Sequence, residues 1–427
     1  MLDIKYIREN AEEVKQNCIN RRVDVNIDRI LELDQERRDF MQQVEELRAE
    51  RNKKSKGKPS DEDILHMREV GDKIKHFEER LTEIEEEYNE LLLCVPNITF
   101  PDTPVGMDES ENKVVKEYGE KTTFDFKPKE HWEIGQERDL INLEKAAEIS
   151  GSRFAYIKGG LVQLEFALIQ YVLSVVTEEK TLKEIAKNAD INISTKPFLP
   201  ILPPVMMRPE VMQKMGRLEP RDERYHLEKD DLYLVGSAEH TLGPLHMDEI
   251  IAEEILPIRY LGFSTAFRRE AGSYGKDTKG IFRVHQFDKL EFESFTTAEQ
   301  GQTEQDFIMA IQEHLVQGLE IPYRIVQKCT GDMGAPDYRE FDIEAWLPGQ
   351  NKYRETHTSD YMTDYQSRRL NTKVKIQNEN TEYVHMNDAT VFAIGRTLIA
   401  LMENHQQEDG SIKIPKALQT YMGKERI

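Results

Sequence analysis

Two heptad-patterned segments within residues 29–93 constrain the fold more than any other feature of this chain. The first segment places Ile30, Leu33, Arg37, Phe40, Val44 and Leu47 at alternating steps of three and four, and the second places Met67, Val70, Ile74, Phe77, Leu81, Ile84, Tyr88 and Leu91. Such a repeat is typical of a coiled-coil seam. Gly57 and Pro59 break the pattern between them, and Ser60 with Asp63 has the spacing of a helix-capping box. The pattern therefore predicts an antiparallel hairpin of two long helices.

The charges on this hairpin are uneven. Residues 48–58 form a basic tip that carries one acid and six bases, which are Arg48, Arg51, Lys53, Lys54, Lys56 and Lys58. Clustered cations at the end of a projecting element suit contact with nucleic-acid phosphates. Because the tip has no aromatic side chains, we expect it to hold RNA by backbone and shape, without reading bases. A solvated coiled-coil surface without a partner is the alternative interpretation.

Composition limits where such a protein acts. The 427 residues carry a net charge of −22, which argues against broad nucleic-acid binding but says nothing of a local basic patch. No apolar run approaches the ~20 residues of a membrane span, and no secretory signal is visible. Cys18, Cys94 and Cys329 are far apart, without a Cys-x-x-Cys pair. We therefore expect a cytoplasmic protein with no membrane partner and no zinc.

The rest of the chain has a mixed pattern. Residues 164–175 and 391–402 have helical spacing, whereas residues 281–295 and 341–345 read as strands, the latter half-buried. Strands without regular βαβ spacing predict an α+β domain on an antiparallel sheet flanked by helices. Neither a Walker-type loop nor Gly-x-Gly-x-x-Gly is present.

The predicted domain organisation has three parts. We expect an N-terminal helical hairpin domain over residues 1–105, a polar linker over 106–121 and the α+β domain over 122–427. The length fits two or three domains with ample core.

Three polar clusters could carry chemistry. In residues 267–291, Arg268 can offer a bidentate fork to a phosphate and Phe287 can stack on a base, although an ordinary surface hairpin would look the same. The oxygens of residues 355–360 suit Mg²⁺, or else a polar turn. Arg396, beside Gly395 on an apolar segment, is expected to meet an anion, since burying it unpaired is costly; a side chain reaching to solvent is the alternative.

Together these runs resemble those of class II aminoacyl-tRNA synthetases, and specifically of bacterial-type seryl-tRNA synthetases. The resemblance covers nearly the whole chain, including the hairpin. The most specific runs are Phe-Arg-x-Glu-Ala-Gly-Ser from Phe267, Arg-x-His-Gln-Phe-x-Lys-x-Glu from Arg283, and Gly395-Arg396-Thr397-Leu398 followed by residues 403–410. Leu202-Pro203-Pro204 is similar to the first class II motif, which lies at the dimer interface in that family.

The resemblance implies roles for individual residues in a ligase that joins serine to serine tRNA through a seryl-adenylate. ATP would meet Arg268 at the α-phosphate, Glu270 and the Val284 backbone at adenine, Phe287 by stacking and Arg396 at the γ-phosphate, with Arg269, Glu355, Thr356, His357 and Thr358 nearby. Serine would meet Ser237, Ala238, Glu239, Arg268, Glu291, Asp388 and Thr390. Glu355 and Thr358 would hold Mg²⁺, and Arg268, Glu355 and Arg396 would act in catalysis.

The resemblance also implies partners. The basic tip would contact the long variable arm of serine tRNA, and of selenocysteine tRNA where the host has one, and the protein would be a homodimer. Two other functions stay open, namely a ligase that loads an amino acid onto a carrier protein and a catalytically retired RNA-binding paralogue. Relatives of the first kind lack the hairpin and use zinc, and the second would be favoured by loss of Arg268, Glu270 or Arg396, which are all present.

The sequence departs from the family pattern at three places. Ser237 replaces Thr in the Thr-x-Glu motif, residues 355–358 read Glu-Thr-His-Thr for Glu-Ile-Ser-Ser, and residues 388–390 read Asp-Ala-Thr for Asn-Gly-Ser. The exchanges at Ser237, Thr358 and Thr390 keep a hydroxyl, so hydrogen bonding to serine can survive. Asp388 instead adds a charge where the family has an amide.

Overall fold

The computed structural model describes residues 1–54, 60–271, 277, 279–376 and 381–427, with only the backbone of Lys54. The chain forms two compact units, Met1–Ile98 and Thr99–Ile427, here called the N-terminal and C-terminal units. In the described part of the chain, no single helix has the length and apolar character to cross a membrane. The helices Gly160–Val176 and Glu179–Asn188 reach that length and apolar character only when they are taken together, and the chain bends by 78° between them.

The N-terminal unit contains the predicted hairpin. Its helices are α1 (Ile4–Glu9), α2 (Ala11–Asn20), α3 (Ile27–Lys54) and α4 (Asp61–Cys94). The 28 residues of α3 span about 42 Å at 1.5 Å per residue. Ser60 caps α4, with its hydroxyl accepting from the Asp63 amide and the Asp63 carboxylate accepting from the Ser60 amide. The antiparallel pairing of α3 with α4 confirms the helical-hairpin prediction.

Side-chain packing follows the heptad pattern along most of the hairpin. Val44, Val70 and Ile74 are buried together, and the Phe40 and Phe77 rings meet edge to face at 5.5 Å. Toward the end of α4 the seam shifts by one position, so that Leu92 is buried in place of the predicted Leu91.

A buried carboxylate explains the charged residue in the heptad pattern. Asp34 is almost fully buried, with the Arg8 and Arg38 guanidiniums at 3.5 and 3.1 Å and that of Arg37 at 3.6 Å. Arg37 also lies over the Tyr88 ring, at 5.3 Å. Since a buried carboxylate needs cations beside it, a charged Arg37 can occupy a heptad position that is otherwise apolar.

An eight-stranded sheet organises the C-terminal unit, in the order β1-β11-β12-β13-β16-β10-β9-β4. Only the pairing of β4 with β9 is parallel. The strands are β1 (Lys113–Tyr118), β4 (Leu199–Ile201), β9 (Ile258–Phe267), β10 (Gln286–Thr296), β11 (Tyr323–Gln327), β12 (Arg339–Leu347), β13 (Lys352–Thr363) and β16 (His385–Ala393). This architecture confirms the predicted α+β class.

Helices and short strands complete the C-terminal unit. The helices are α5 (His131–Glu137), α6 (Leu143–Ser150), α7 (Gly160–Val176), α8 (Glu179–Asn188), α9 (Pro209–Lys214), α10 (Glu239–Leu242), α11 (Gly301–Gly318), α12 (Tyr365–Leu370), α13 (Ile394–His405) and α14 (Lys416–Met422). The short strands are β2 (Ile141–Asn142), β3 (Tyr156–Ile157), β5 (Met206–Met207), β6 (His226–Leu227), β7 (Leu232–Leu234), β8 (Ile250–Ala252), β14 (Lys373–Lys375) and β15 (Thr381–Tyr383).

The main core lies on one face of the large sheet. Helices α7, α11 and α13 bury their apolar sides against strand residues such as Leu290, Phe292 and Val391. Because successive strand residues point to opposite faces, the neighbours of these residues point away from that core, and many of those neighbours are polar. The second face of the sheet is therefore the one on which these polar side chains lie.

Four local predictions differ from the structure. Residues 113–118, assigned to the linker, form the edge strand β1, because they find a backbone partner in β11 that local sequence does not reveal. The late helix begins at Ile394, since Val391 still belongs to β16, and residues 281–285 precede the strand predicted at 281–295. Strand β12 is buried on nearly its whole length instead of on one face.

Candidate active site

A cavity of about 550 Å³ opens on the polar face of the sheet. Its walls come from β10, β13 and β16, the start of α13, the segment after α9 and the loop before β10. The strand residues that line it include Phe287, Lys289, Glu291, Glu355, Thr358, Asp360, Asp388 and Thr390. Segments far apart in sequence thus meet at one site.

Two β-bulges decide which side chains reach the cavity. On β13 the partner of Ile343 is His357 and that of Glu344 is Glu355, so Thr356 is an extra residue. Residues three apart on a regular strand face opposite ways, whereas the bulge lets both Glu355 and Thr358 line the cavity. On β16, Val391 is the extra residue, which brings Ala393 to the cavity and leads into Arg396 on α13.

Arginines gather at one end of the cavity. The Arg268 guanidinium lies 5.3 Å from the Phe287 ring centroid, and its Nε donates to the Gly236 carbonyl at 3.1 Å. Arg396, in the first turn of α13, contacts the Glu355 carboxylate at 2.8 Å and covers the Phe282 ring at 4.6 Å. Both cations line the cavity beside an aromatic ring, where they can meet phosphate oxygens.

The charged groups at this end of the cavity shift one another's pKa values. Burial lowers the pKa of Arg268, and the nearby Arg396 lowers it further. Burial by itself would raise the pKa of Glu355, but Arg396, Lys328 and Arg268 lower it to about 2. Glu355 is therefore ionised at neutral pH. Next to it, Glu270 pairs with Arg283 at 2.7 Å on the same wall as Val284.

Hydroxyls and carboxylates gather at the other end, where Glu291, Thr358 and Thr390 line the cavity and Ser237 lies behind its wall. The Ser237 hydroxyl donates to Glu291 at 3.1 Å, and Lys289 lies 2.5 Å from the same carboxylate. The Thr390 hydroxyl is 3.4 Å from Glu291 and 2.7 Å from the Thr358 hydroxyl. This network can surround a small polar ligand that both donates and accepts hydrogen bonds.

Close packing holds the Ser237 segment on the sheet. Gly262 faces it from β9, and a Cβ there would lie 2.6 Å from Leu242 Cδ1 and 3.0 Å from Ala238 Cβ. Ala238 is fully buried in this contact and does not line the cavity. Ser237 is also buried and outside the lining of the cavity, which it reaches only through its hydrogen bond to Glu291, whereas Glu239 lines the wall.

The comparisons with known proteins cover both units. A family described as "Seryl-tRNA synthetase N-terminal domain" matches residues 1–99, and "tRNA synthetase class II core domain (G, H, P, S and T)" matches residues 223–405. The serine–tRNA ligase of Dictyoglomus turgidum is 40% identical over 99% of this chain and 98% of its own length. That of Rubrobacter xylanophilus is 39% identical over 100% and 99%.

The chain belongs to the seryl-tRNA synthetase family. A solved seryl-tRNA synthetase from Pyrococcus horikoshii, complexed with ATP, has a TM-score of 0.90 and 37% identity, covering 100% of this chain and 99% of that one. A serine–tRNA ligase of Naegleria fowleri in complex with AMP has a TM-score of 0.86 and 31% identity, covering 100% and 98%. The recognition from sequence motifs is thus confirmed.

Three residues expected at the nucleotide of this seryl-tRNA synthetase do not line the cavity. The Thr356 hydroxyl donates to the Ile343 carbonyl at 3.2 Å, and His357 lies at 5.3 Å from the Phe392 ring on the core face. The bulge at Thr356 turns both away while it directs their neighbours inward. Arg269 is held by its backbone to the Glu223 carbonyl, outside the cavity wall.

The structure adds cavity residues to which the sequence analysis gave no individual role. Lys289 and Asp360, which lie within the predicted runs, line the cavity together with Phe282 and with Arg217 from the segment after α9. The Arg217 Nε lies 2.6 Å from Glu239, and its Nη2 lies 3.4 Å from Asp388. Asp388 thus has a cationic partner in Arg217. No local pattern near Arg217 signals this contact.

The donor set fits Mg²⁺. Glu355 and Thr358 direct a carboxylate and a hydroxyl to one wall, beside the arginines that suit phosphates. Mg²⁺ is commonly held by one or two protein oxygens together with substrate phosphates. We therefore keep these two residues as the proposed magnesium ligands.

The described part of the basic tip is exposed. Arg51 and Lys53 lie at the end of α3 with exposed side chains, and Arg48 pairs with Glu78 at 2.6 Å. Lys56 and Lys58 and the side chain of Lys54 lie outside the described residues. The tRNA contact of the tip remains a proposal.

Proposed function

We propose that this chain ligates L-serine to serine tRNA in two steps. The observation that carries the proposal is one cavity with phosphate-directed arginines at one end and the Ser237–Glu291–Thr390 network at the other. Full-length identity of about 40% to proteins named serine–tRNA ligase supports it. No observation favours a carrier-protein ligase or a retired paralogue, because Arg268, Glu270 and Arg396 are present and Arg268 and Arg396 lie together.

In the first step, a serine carboxylate oxygen attacks the α-phosphorus of ATP. The bond from that phosphorus to the bridging oxygen breaks, and pyrophosphate leaves with the electron pair. Arg268 would stabilise charge on the α-phosphate and Arg396 charge on the departing γ-phosphate, while Phe287 holds adenine. Mg²⁺ on Glu355 and Thr358 would supply further charge neutralisation when bound. Positioning and electrostatics suffice, so no protein nucleophile is needed.

In the second step, a terminal ribose hydroxyl of the tRNA attacks the seryl carbonyl carbon, and the bond from that carbon to the α-phosphate oxygen breaks. AMP leaves with the electron pair, and the hydroxyl proton passes to solvent. We propose that Glu239 accepts hydrogen bonds from the serine ammonium. Glu291 would accept a hydrogen bond from the serine hydroxyl, and Thr390 would donate one to it. A buried network of this kind rejects alanine, because a polar group would be left without a partner. Threonine must be rejected by size.

The tRNA is proposed to bind through the hairpin, by its long variable arm, in a homodimeric cytoplasmic enzyme. The match of residues 1–99 to the seryl-tRNA synthetase N-terminal domain supports this part. Reversing the charge of Lys53, Lys54 and Lys56 should raise the KM for tRNA and leave that for serine unchanged. An unaltered tRNA KM would contradict the role of the tip.

The direct test of the main proposal is amino-acid-dependent exchange of labelled pyrophosphate into ATP, followed by charging of serine tRNA. We expect exchange with serine and none with alanine. Exchange with another amino acid but not with serine would refute the proposal.

A further inference from the structure

The amino-acid end of the cavity has more acids than a serine ligand requires. Glu239, Asp388 and Asp337 surround one guanidinium, that of Arg217, at 2.6, 3.4 and 4.0 Å. The three carboxylate side chains are between 2% and 7% exposed, and Arg217 itself is 18% exposed. A cation in this position balances charges that water cannot reach.

Strand register brings further acids to the same place. Asp388 lies directly opposite Glu293 on β10 and opposite Asp360 on β13. Glu293 is fully buried, and neither of its carboxylate oxygens has a hydrogen-bond partner among the described residues. Burial and the charge of Asp388 raise the pKa of Glu293 well above its usual value. Burial and Glu239 likewise raise the pKa of Asp388 well above its usual value, and Arg217 opposes that rise. Because Arg217 also lowers the pKa of Glu239, it is the cation that favours the ionised form of both carboxyl groups.

The position of Arg217 is built into the fold. Arg224 donates from its Nε to the Arg217 carbonyl at 3.0 Å. Gly334 leaves room for the Asp337 carboxylate beside Arg217, since a Cβ there would clash with Asp337 Oδ2. Arg217 is therefore not a surface side chain that only happens to touch the cavity.

Under the proposed function, two cations compete for the Glu239 carboxylate. It would accept the serine ammonium, yet Arg217 already contacts its Oε1. Glu239 is the nearest carboxylate to the guanidinium, at 2.6 Å against 3.4 Å for Asp388, so removing the charge of Asp388 would strengthen the attraction of Arg217 for Glu239 at the expense of the ammonium. Without Arg217, Glu239 and Asp388 would lose the cation that contacts both, and one of them would take up a proton.

We propose that Arg217 and Asp388 form a compensating pair that determines serine affinity in this chain, with Asp388 sharing the guanidinium so that Glu239 can accept the substrate ammonium. This inference rests on the proposed function. It assigns Arg217 as a positioning residue, and it explains why an aspartate can stand where the family pattern has an amide.

The test is a double-mutant cycle in serine-dependent pyrophosphate exchange, using R217Q, D388N and the double variant in the full chain. We expect each single change to raise the KM for serine about tenfold, with the KM for ATP within about twofold of wild type, because coupled charges commonly interact by about one tenfold step. The double variant should lie closer to wild type than either single variant. R221Q, which alters an exposed arginine paired with Glu219, serves as the matched control.

Effects that multiply in the double variant, or that fall on the KM for ATP, would overturn the pairing. Thermal unfolding of each variant separates loss of folding from loss of affinity, and a single variant that fails to fold leaves the double variant and the remaining single variant to decide. If the wild-type chain shows no exchange with serine, the proposed function fails instead, so the two failures are distinguishable.

Discussion

Replacing His357 with glutamine should make the C-terminal unit less sensitive to acid without impairing ATP binding. His357 is 2% exposed, and its Nε2 has no hydrogen-bond partner among the described residues. Burial lowers its pKa from 6.5 to about 3. Between these two pH values, the imidazole is protonated in the unfolded chain and neutral in the folded chain. The free energy of unfolding therefore falls as the pH falls from 6.5 toward 3.

The size of this effect follows from the two pKa values. At pH 7.5 the histidine is neutral in both states, whereas at pH 5.0 the unfolded state gains about 2 kcal/mol, from 1.5 pH units at about 1.4 kcal/mol each. Urea unfolding followed by tryptophan fluorescence reports on the correct unit, because Trp132 and Trp346 both lie in it. H357Q should lose about 2 kcal/mol less than wild type between pH 7.5 and 5.0.

Because each variant is compared with itself at the two pH values, a destabilisation that the substitution causes equally at both pH values cancels. H226Q, which removes an exposed histidine of the same unit, should keep the wild-type pH dependence. An equal loss in H357Q and wild type would refute the assignment of a neutral buried imidazole. A raised KM for ATP in H357Q would instead show that this side chain reaches the nucleotide.

Three further outcomes are expected. R396K keeps the charge but loses the guanidinium fork, so the KM for ATP in exchange should rise about tenfold or more while that for serine stays constant. R259M strands the buried Glu304 carboxylate, now held by two bonds of 2.6 and 2.7 Å, and should lower the free energy of unfolding by about 3–5 kcal/mol, whereas R259M combined with E304M should lose less. Deleting residues 35–90 should spare exchange with serine and abolish tRNA charging; equal loss of both would show that the hairpin is structural.

Much of the molecule could be predicted from local patterns. The period of apolar residues in α3 and α4 and the Ser60 cap depend on neighbours within a few turns, so the hairpin was visible in the sequence. The run around Arg268 and the Gly395-Arg396 pair likewise predicted residues at one end of the cavity, because each of these motifs is a short continuous run that is visible in the sequence.

Sequence alone therefore determined the elements, the family and most residues of the candidate site. Tertiary structure decided which of those side chains share one surface. The bulges at Thr356 and Val391 arise from pairing with strands elsewhere in the chain, and they turn His357 into the core while keeping Glu355 and Thr358 together. The contact of Arg217 with Asp388 joins residues 171 positions apart, so only the folded chain shows that a guanidinium faces Asp388.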